Sequence, residues 1–403
     1  MSKTDHPGPN GRAELLVRAR NLKMARSAHA YVRGSTTKFY EWLEDGDSML
    51  PAGPSVWICG DCHVGNLGPL ADAKGRVAIQ IRDLDQTVIG NPAHDLIRLG
   101  LSLASAARGS DLPGVTTARM LEELIIGYEQ ALRGDFDDRS GKAHRPKAVQ
   151  AVLQRAVRRR WRHLAKERIE DIKPTIPLGK HFWALTERER LELEALCQGD
   201  AVRALVTALK DRAETDPIEL VDAAYWMKGC SSLGRLRYAA LLRVGDERKD
   251  GPLCLLDLKE GVTAAAPRRA DAKMPRDNAE RVLAGARALS PNLGQRMGAA
   301  RFMDKGVVMR ELMPQDLKIE IDQLTRTEAM SVARYLAGVL GYAHGRQMDA
   351  ETRRAWLAEL ARDRTRTLDA PSWLWTSVVE LVALHEAAYL EHCRRYALAD
   401  GAR

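Results

Sequence analysis

Two short apolar runs near the start of the chain each end in oxygen-bearing side chains. Val56-Trp-Ile-Cys-Gly-Asp61-Cys-His-Val-Gly-Asn66 closes on Asp61 and Asn66, and Val77-Ala-Ile-Gln-Ile-Arg-Asp83-Leu-Asp85 closes on Asp83 and Asp85. Buried strands that bring carboxylates and a carboxamide together suit Mg²⁺ and a transferring phosphoryl group. Hard oxygen ligands hold the metal, and a remaining carboxylate orients the incoming hydroxyl. The competing reading is a pair of β-hairpins with Asp, Asn and Gly as turn residues. Both runs, in this order, favour a catalytic site.

Cys59-Gly-Asp-Cys62-His63 also matches the C-x-x-C-H pattern of haem attachment, and C-x-x-C suits zinc or redox chemistry. Haem attachment belongs to exported proteins, and the first residues (MSKTDHPGPNGRAE) show no apolar signal segment. A zinc site needs a second ligand pair, whereas Cys197, Cys230, Cys254 and Cys393 are scattered. The six cysteines read as reduced thiols of a cytoplasmic protein.

A second constellation lies further on. Gly229-Cys-Ser231-Ser232-Leu-Gly234 separates two strand-like stretches, and such a turn can lay backbone N–H groups on phosphates. The apolar strand Leu253-Cys-Leu-Leu-Asp-Leu-Lys259 ends in a lysine that is costly to bury without an anion; the competing reading is a strand-end lysine reaching water. Asp277-Asn-Ala-Glu280 opens a helix that can set Glu280 against Lys259. Val307-Val-Met-Arg310-Glu311 is an apolar exit strand along which an adenine ring can dock.

The elements that must position these groups follow from periodicity. Helical spacing covers residues 12–32, 93 onward, 115–133, 146–170 and 186–212, with short strands at 55–59 and 76–82. Residues 218–260 alternate like strands, and the tail from about 325 is helical again. At 403 residues the chain has room for two or three cores. Charged residues make up 29%, and no apolar run nears the ~20 residues of a membrane helix, so a soluble protein with no membrane partner is expected. The net charge of +8 points to a polyanionic partner. Part of it is the run Arg155 to Arg162, read as a solvated helix face, and aromatic residues are too few for a strong single-strand nucleic-acid reading.

Glycine turn, strand lysine, helix glutamate and exit strand, in that order, resemble the small lobe of protein kinases and aminoglycoside phosphotransferases. Gly60-Asp61-Cys-His-Val-Gly-Asn66 resembles the G-D-x-H-x-x-N catalytic loop of aminoglycoside and choline kinase-like enzymes, and Ile81-Arg-Asp83-Leu-Asp85 with Gly90 to Leu96 their I-D-x-D segment. The resemblance implies a catalytic base at Asp61, metal ligands at Asn66 and Asp83 with help from Asp85, and a phosphate lysine at Lys259 held by Glu280. Gly229, Ser231, Ser232, Gly234 and Glu311 would complete the ATP site, and Asp95 would brace the loop. Cys59 stands where that superfamily usually has His.

The catalytic loop also precedes the glycine turn, the reverse of the usual order. The implied fold is therefore α+β: a two-lobed, protein kinase-like fold, circularly permuted, with a helix-rich large lobe (1–215 completed by 317–403) and a small antiparallel-sheet lobe (216–316). The whole-chain pattern, including Lys23 to Gly34 and Leu336 to His344, is similar to an uncharacterised bacterial family, domain of unknown function 2252. Lys23 and Arg33 are placed to meet an acceptor or a phosphate, or to end a capped helix.

The expected function is an ATP- and Mg²⁺-dependent phosphotransferase acting on a hydroxyl-bearing small molecule or protein. The alternatives are a kinase-fold AMP transferase and a non-catalytic nucleotide- or nucleic-acid-binding regulator.

Overall fold

The computed structural model describes residues 9–46, 50–136, 145–159, 175–209, 212–229, 233–245, 252–317, 319, 325–362, 364 and 370–397. Within them the chain is a mixed α+β fold of thirteen α-helices and antiparallel sheets. The helices are α1 (Pro9–Met24), α2 (Ala28–Gly34), α3 (Thr36–Gly46), α4 (Pro92–Gly109), α5 (Gly114–Arg133), α6 (Lys147–Arg158), α7 (Glu187–Cys197), α8 (Asp200–Thr207), α9 (Asn278–Leu289), α10 (Pro291–Gly294), α11 (Arg326–Gly345), α12 (Ala350–Ala361) and α13 (Ser372–Tyr396).

Three of the expected helices differ in extent. The stretch 12–32 is two helices, because Ser27 adopts an extended backbone and caps α2 by accepting the Ala30 N–H at 3.1 Å. The stretch 186–212 divides at Gly199 into α7 and α8. In the stretch 146–170, α6 ends at Arg158, and Arg160 to His163 of the basic run lie outside the described residues.

One core is helical. Helix α11 lies against α5 so closely that a Cβ on Gly127 would stand 2.0 Å from the Arg334 carbonyl oxygen, so only glycine permits that crossing. Helix α13 packs on α4 and α2, so the tail completes the same core as the early helices. Two small ladders rest on this body. Strand β1 (Val56–Ile58) pairs with β4 (Val88–Gly90), and β2 (Leu67–Ala71) with β3 (Val77–Ile81). The two expected strands, β1 and β3, are thus not partners of each other. Their true partners carry Gly and Pro or span three residues, which hides them from a pattern search.

The other core lies under a six-stranded antiparallel sheet in the order β5-β6-β7-β8-β10-β9, with β5 (Phe182–Trp183), β6 (Ile218–Trp226), β7 (Arg237–Val244), β8 (Leu253–Glu260), β9 (Met297–Phe302) and β10 (Lys305–Glu311). Alternation gives β8 two distinct faces. Cys254, Leu256 and Leu258 face a core shared with Leu16 of α1, Leu193 of α7 and Val202 and Val206 of α8. Leu255 lies on the opposite face, with Asp257 and Lys259 following at the same parity. The sheet core therefore draws on residues 9–24 and 182–207, which the sequence grouped with the helical block. A buried ion pair fixes that association: Arg12 meets Glu189 at 2.6 Å and stacks over the Tyr225 ring.

Candidate active site

Asp61 sits where β1 gives way to a tight loop. Gly60 has φ +74°, and a Cβ there would stand 2.2 Å from the Gln86 carbonyl oxygen, so the turn requires glycine. Asp95, fully buried near the start of α4, accepts the Cys59 and Gly60 N–H groups at 2.7 and 2.9 Å and lies 3.2 Å from His344 Nε2. Tyr40 donates its hydroxyl to the Gly60 carbonyl. These contacts fix the loop backbone and leave Asp61 to be oriented separately.

Arg98 does that. Its Nε donates to Asp61 Oδ1 at 2.8 Å and its Nη2 to the Val32 carbonyl at 2.6 Å, from a side chain with no exposure. Burial raises the Asp61 pKa; Arg98 opposes that rise and the Asp83 charge adds to it. A raised carboxylate pKa suits a general base better than an ordinary one. Asn66 Nδ2 donates to the Asp61 carbonyl at 3.0 Å, which leaves the carboxamide oxygen as an acceptor. The β2–β3 ladder continues through Arg82 N–H to the Asn66 carbonyl at 2.7 Å, so Asp83 begins where Asn66 ends.

Lys259 reaches this cluster from the sheet. Its Nζ contacts the Asp85 carboxylate and lies 3.5 Å from Asp83 Oδ1. Burial works against the Lys259 charge, and the two carboxylates outweigh it, so its pKa is raised. Lys259 and then Arg237 overcome the desolvation of Asp83 and hold its carboxyl below the usual range. Burial and the neighbouring Asp83 charge push Asp85 up to about 6. The β7–β8 register sets Arg237 beside Lys259, and Arg237 is bidentate to Asp257 at 2.9 and 2.6 Å. Lys228 lies 3.8 Å from the same carboxylate. Arg237 and Lys228 against the one Asp257 carboxylate leave this patch of the sheet with positive charge in excess, which suits phosphates.

The glycine turn borders the face. Gly229 and Gly234 have φ of +98° and +97°, and Lys23 of α1 donates to the Gly229 carbonyl at 2.7 Å. Ser231 and Ser232 lie outside the described residues.

Two expected site residues are elsewhere. Glu280 is exposed and lines a groove with Leu205, Arg287 and Gly298, away from the Lys259 ion cluster. The neighbouring residue, Arg281, is the one turned inward. It donates to the carbonyls of Thr87, Asp85 (3.0 Å) and Val262 (2.7 Å) and so supports the Asp85 loop. Adjacent helix positions differ by about 100° in direction, and Asp85 already supplies the anion that Lys259 needs. Glu311 shares the parity of Val307 and Met309, faces the opposite side of the sheet, and pairs with Arg212 at 2.9 Å.

Arg98, Arg237, Asp257 and Arg281 were not singled out by sequence. Asp257 within the apolar strand Leu253 to Leu258 was the readable signal; a buried Asp there requires a cation.

The donors fit a hard cation. Asp83, Asp85 and the Asn66 carboxamide offer oxygen, and the carboxylate pair already holds one cation, the Lys259 ammonium. Among the described residues no group of three His, Cys, Asp or Glu could hold a metal by itself. Mg²⁺ does not require one, since it takes one or two carboxylates and completes its shell with phosphates and water. Cys59 and Cys62 are free and buried, and their mutual hydrogen bond, with burial, pushes the Cys59 thiol up, against zinc or redox use.

The chain belongs to the family described as uncharacterized protein conserved in bacteria (DUF2252), which matches residues 12–395. No curated protein and no solved structure matches it. Among the described residues no helix is long and apolar enough to cross a membrane.

Proposed function

We propose that this chain is an ATP- and Mg²⁺-dependent phosphotransferase with a circularly permuted, two-lobed kinase-like fold, working in the cytoplasm. The observation that carries the reading is the meeting of Lys259, from the sheet, with Asp83 and Asp85, from the body that holds Asp61. A lysine, two carboxylates and a separately oriented aspartate are the parts that phosphoryl transfer needs, because positioning and charge neutralisation supply most of the rate.

In this reading Asp83, Asp85 and Asn66 hold Mg²⁺, which would neutralise charge on the β- and γ-phosphates. Lys259 turns from the carboxylates toward phosphate, and Arg237 and Lys228 add positive field. Asp61, fixed by Arg98, orients the acceptor hydroxyl and takes its proton. Arg281 holds the backbone of the Asp85 loop.

The test is a thermal-shift panel of nucleotides with and without Mg²⁺, followed by mass spectrometry of products formed from cell metabolites. ATP with Mg²⁺ at a hundredfold excess over its Kd stabilises a binding fold by ~2.7 kcal/mol. No shift at millimolar ATP and Mg²⁺ refutes the reading. A gain of phosphate mass, not of AMP, on the product separates phosphoryl from adenylyl transfer.

A further inference from the structure

A cavity of about 640 Å³ opens beside the Asp61 loop, walled by Val64 and Gly65 of that loop, Val32 and Arg33 of α2, and Val382 and His385 of α13. Its volume suits a small molecule. Asp61 does not line the cavity but is tied to its wall: the Val32 carbonyl there accepts from the same Arg98 that holds Asp61.

Two polar groups in the wall lack partners. The Arg33 guanidinium carbon lies 3.0 Å from where a Cβ on Gly65 would stand, so the missing side chain lets it lie over the loop. Its Nε is buried without a hydrogen-bond partner, and no carboxylate pairs with it among the described residues. Arg108, in the same wall, is already matched by Glu386 at 2.8 Å. His385, only 2% exposed, uses Nδ1 on the Leu381 carbonyl at 2.8 Å, which places its proton there and leaves Nε2 as a lone-pair acceptor without a partner. Burial and the Arg98 charge lower its pKa to about 4, which keeps the ring neutral near pH 7. One uncompensated cation and one unused acceptor describe a ligand: an anionic group for the first, a hydroxyl for the second.

We infer that this cavity holds the phosphoryl acceptor, and that the acceptor is a small hydroxylated anion whose carboxylate or phosphate meets Arg33 and one of whose hydroxyls donates to His385 Nε2. The inference rests on the phosphotransferase reading and names its substrate class. For transfer, a second hydroxyl of the same molecule must reach out of the cavity, past Val64 and Gly65, to Asp61. Its oxygen forms a bond to the γ-phosphorus of ATP as the bond to the ADP oxygen breaks, and its proton passes to Asp61.

Calorimetric titration of the full chain with gluconate, glycerol 3-phosphate, hexanoate and glucose tests this. The two hydroxylated anions should bind at least ~10-fold more tightly than hexanoate or glucose, the loss expected for one charged or one buried hydrogen bond. The tighter of them identifies carboxylate or phosphate. Arg33→Gln should remove the preference over glucose and Arg33→Lys should restore part of it. His385→Leu should remove the preference over hexanoate alone. Equal or absent binding of all four probes by the parent, or variants that leave both preferences intact, overturns the inference. The parent's ATP–Mg²⁺ binding is measured alongside. Nucleotide binding without anion binding overturns the cavity assignment alone. Anion binding without nucleotide binding leaves the ligand class standing and overturns the transfer.

Discussion

Lys259 and Asp85 are 174 positions apart in sequence and in direct ionic contact, the ammonium from the sheet seated against a carboxylate from the loop after β3. The contact joins the two cores at the point where phosphate chemistry is proposed. It also changes what a substitution of the lysine should do.

Lys259→Met leaves Asp83 and Asp85 facing each other without their cation. The apo protein should lose stability, by less than the ~3–5 kcal/mol of a fully buried broken pair because Asp83 is half exposed. Millimolar Mg²⁺ should raise the melting temperature of this variant more than that of the parent, since the metal takes the place of the ammonium. An equal response to Mg²⁺ in both proteins, measured by calorimetry, contradicts metal binding by this pair.

Asp61→Asn tests the base and its support together. Arg98 has no exposure, so weakening its charged partner should destabilise the fold by up to ~3 kcal/mol in denaturant unfolding. Slow ATP hydrolysis per folded molecule should fall ~10²–10⁴-fold while ATP binding persists. Parent-like hydrolysis by the folded variant removes Asp61 from the chemistry.

How much of this was legible in the sequence depends on the kind of contact. Asp61, Asp83 and Lys259 stood out because each ends or interrupts an apolar run, a local signal that survives without any knowledge of the fold. Glu280 against Arg281 could not be decided that way. Both are charged and adjacent, and only the docking of α9 on the Thr87 loop selects which one turns inward. Glu311 depended on the register of β10 with β8, which sets Arg310 opposite Asp257 and sends Glu311 to the other face. Arg98 holds Asp61 across 37 positions, and Arg12 ties α1 to Glu189 across 177. Contacts of that separation leave no spacing to read, which is why α1 was grouped with the helical block.

Asp83→Asn should act on binding, not on turnover alone. Replacing one charged oxygen ligand of a hard cation should weaken Mg²⁺-dependent ATP affinity while the Mg²⁺-independent component remains. Paired ATP titrations with Mg²⁺ and with EDTA separate the two. A variant whose Mg²⁺ dependence equals the parent's excludes Asp83 as a ligand.

The last prediction concerns pH and follows from the opposite displacements of the two carboxyls. Asp85 titrates near 6 in the folded chain against an ordinary 3.8, so the fold prefers it protonated. A carboxyl of that kind contributes its stability fully below the unfolded value and loses it as pH rises from about 4 through about 6. Asp83 is displaced downward and does the reverse, contributing above the ordinary value and losing its part as pH falls below about 4, so the two windows do not overlap. Across pH 4 to 6 the parent should therefore lose stability relative to Asp85→Asn, which cannot ionise there. Metal binding needs the ionised form, so apparent Mg²⁺–ATP affinity should fall as pH drops below about 6. Unfolding curves of both proteins, with and without Mg²⁺–ATP at pH 4.5, 5.5 and 6.5, read all of this at once. Parallel stability profiles for parent and Asp85→Asn would show that Asp85 is ionised throughout and that Lys259, not a proton, neutralises it in the resting protein.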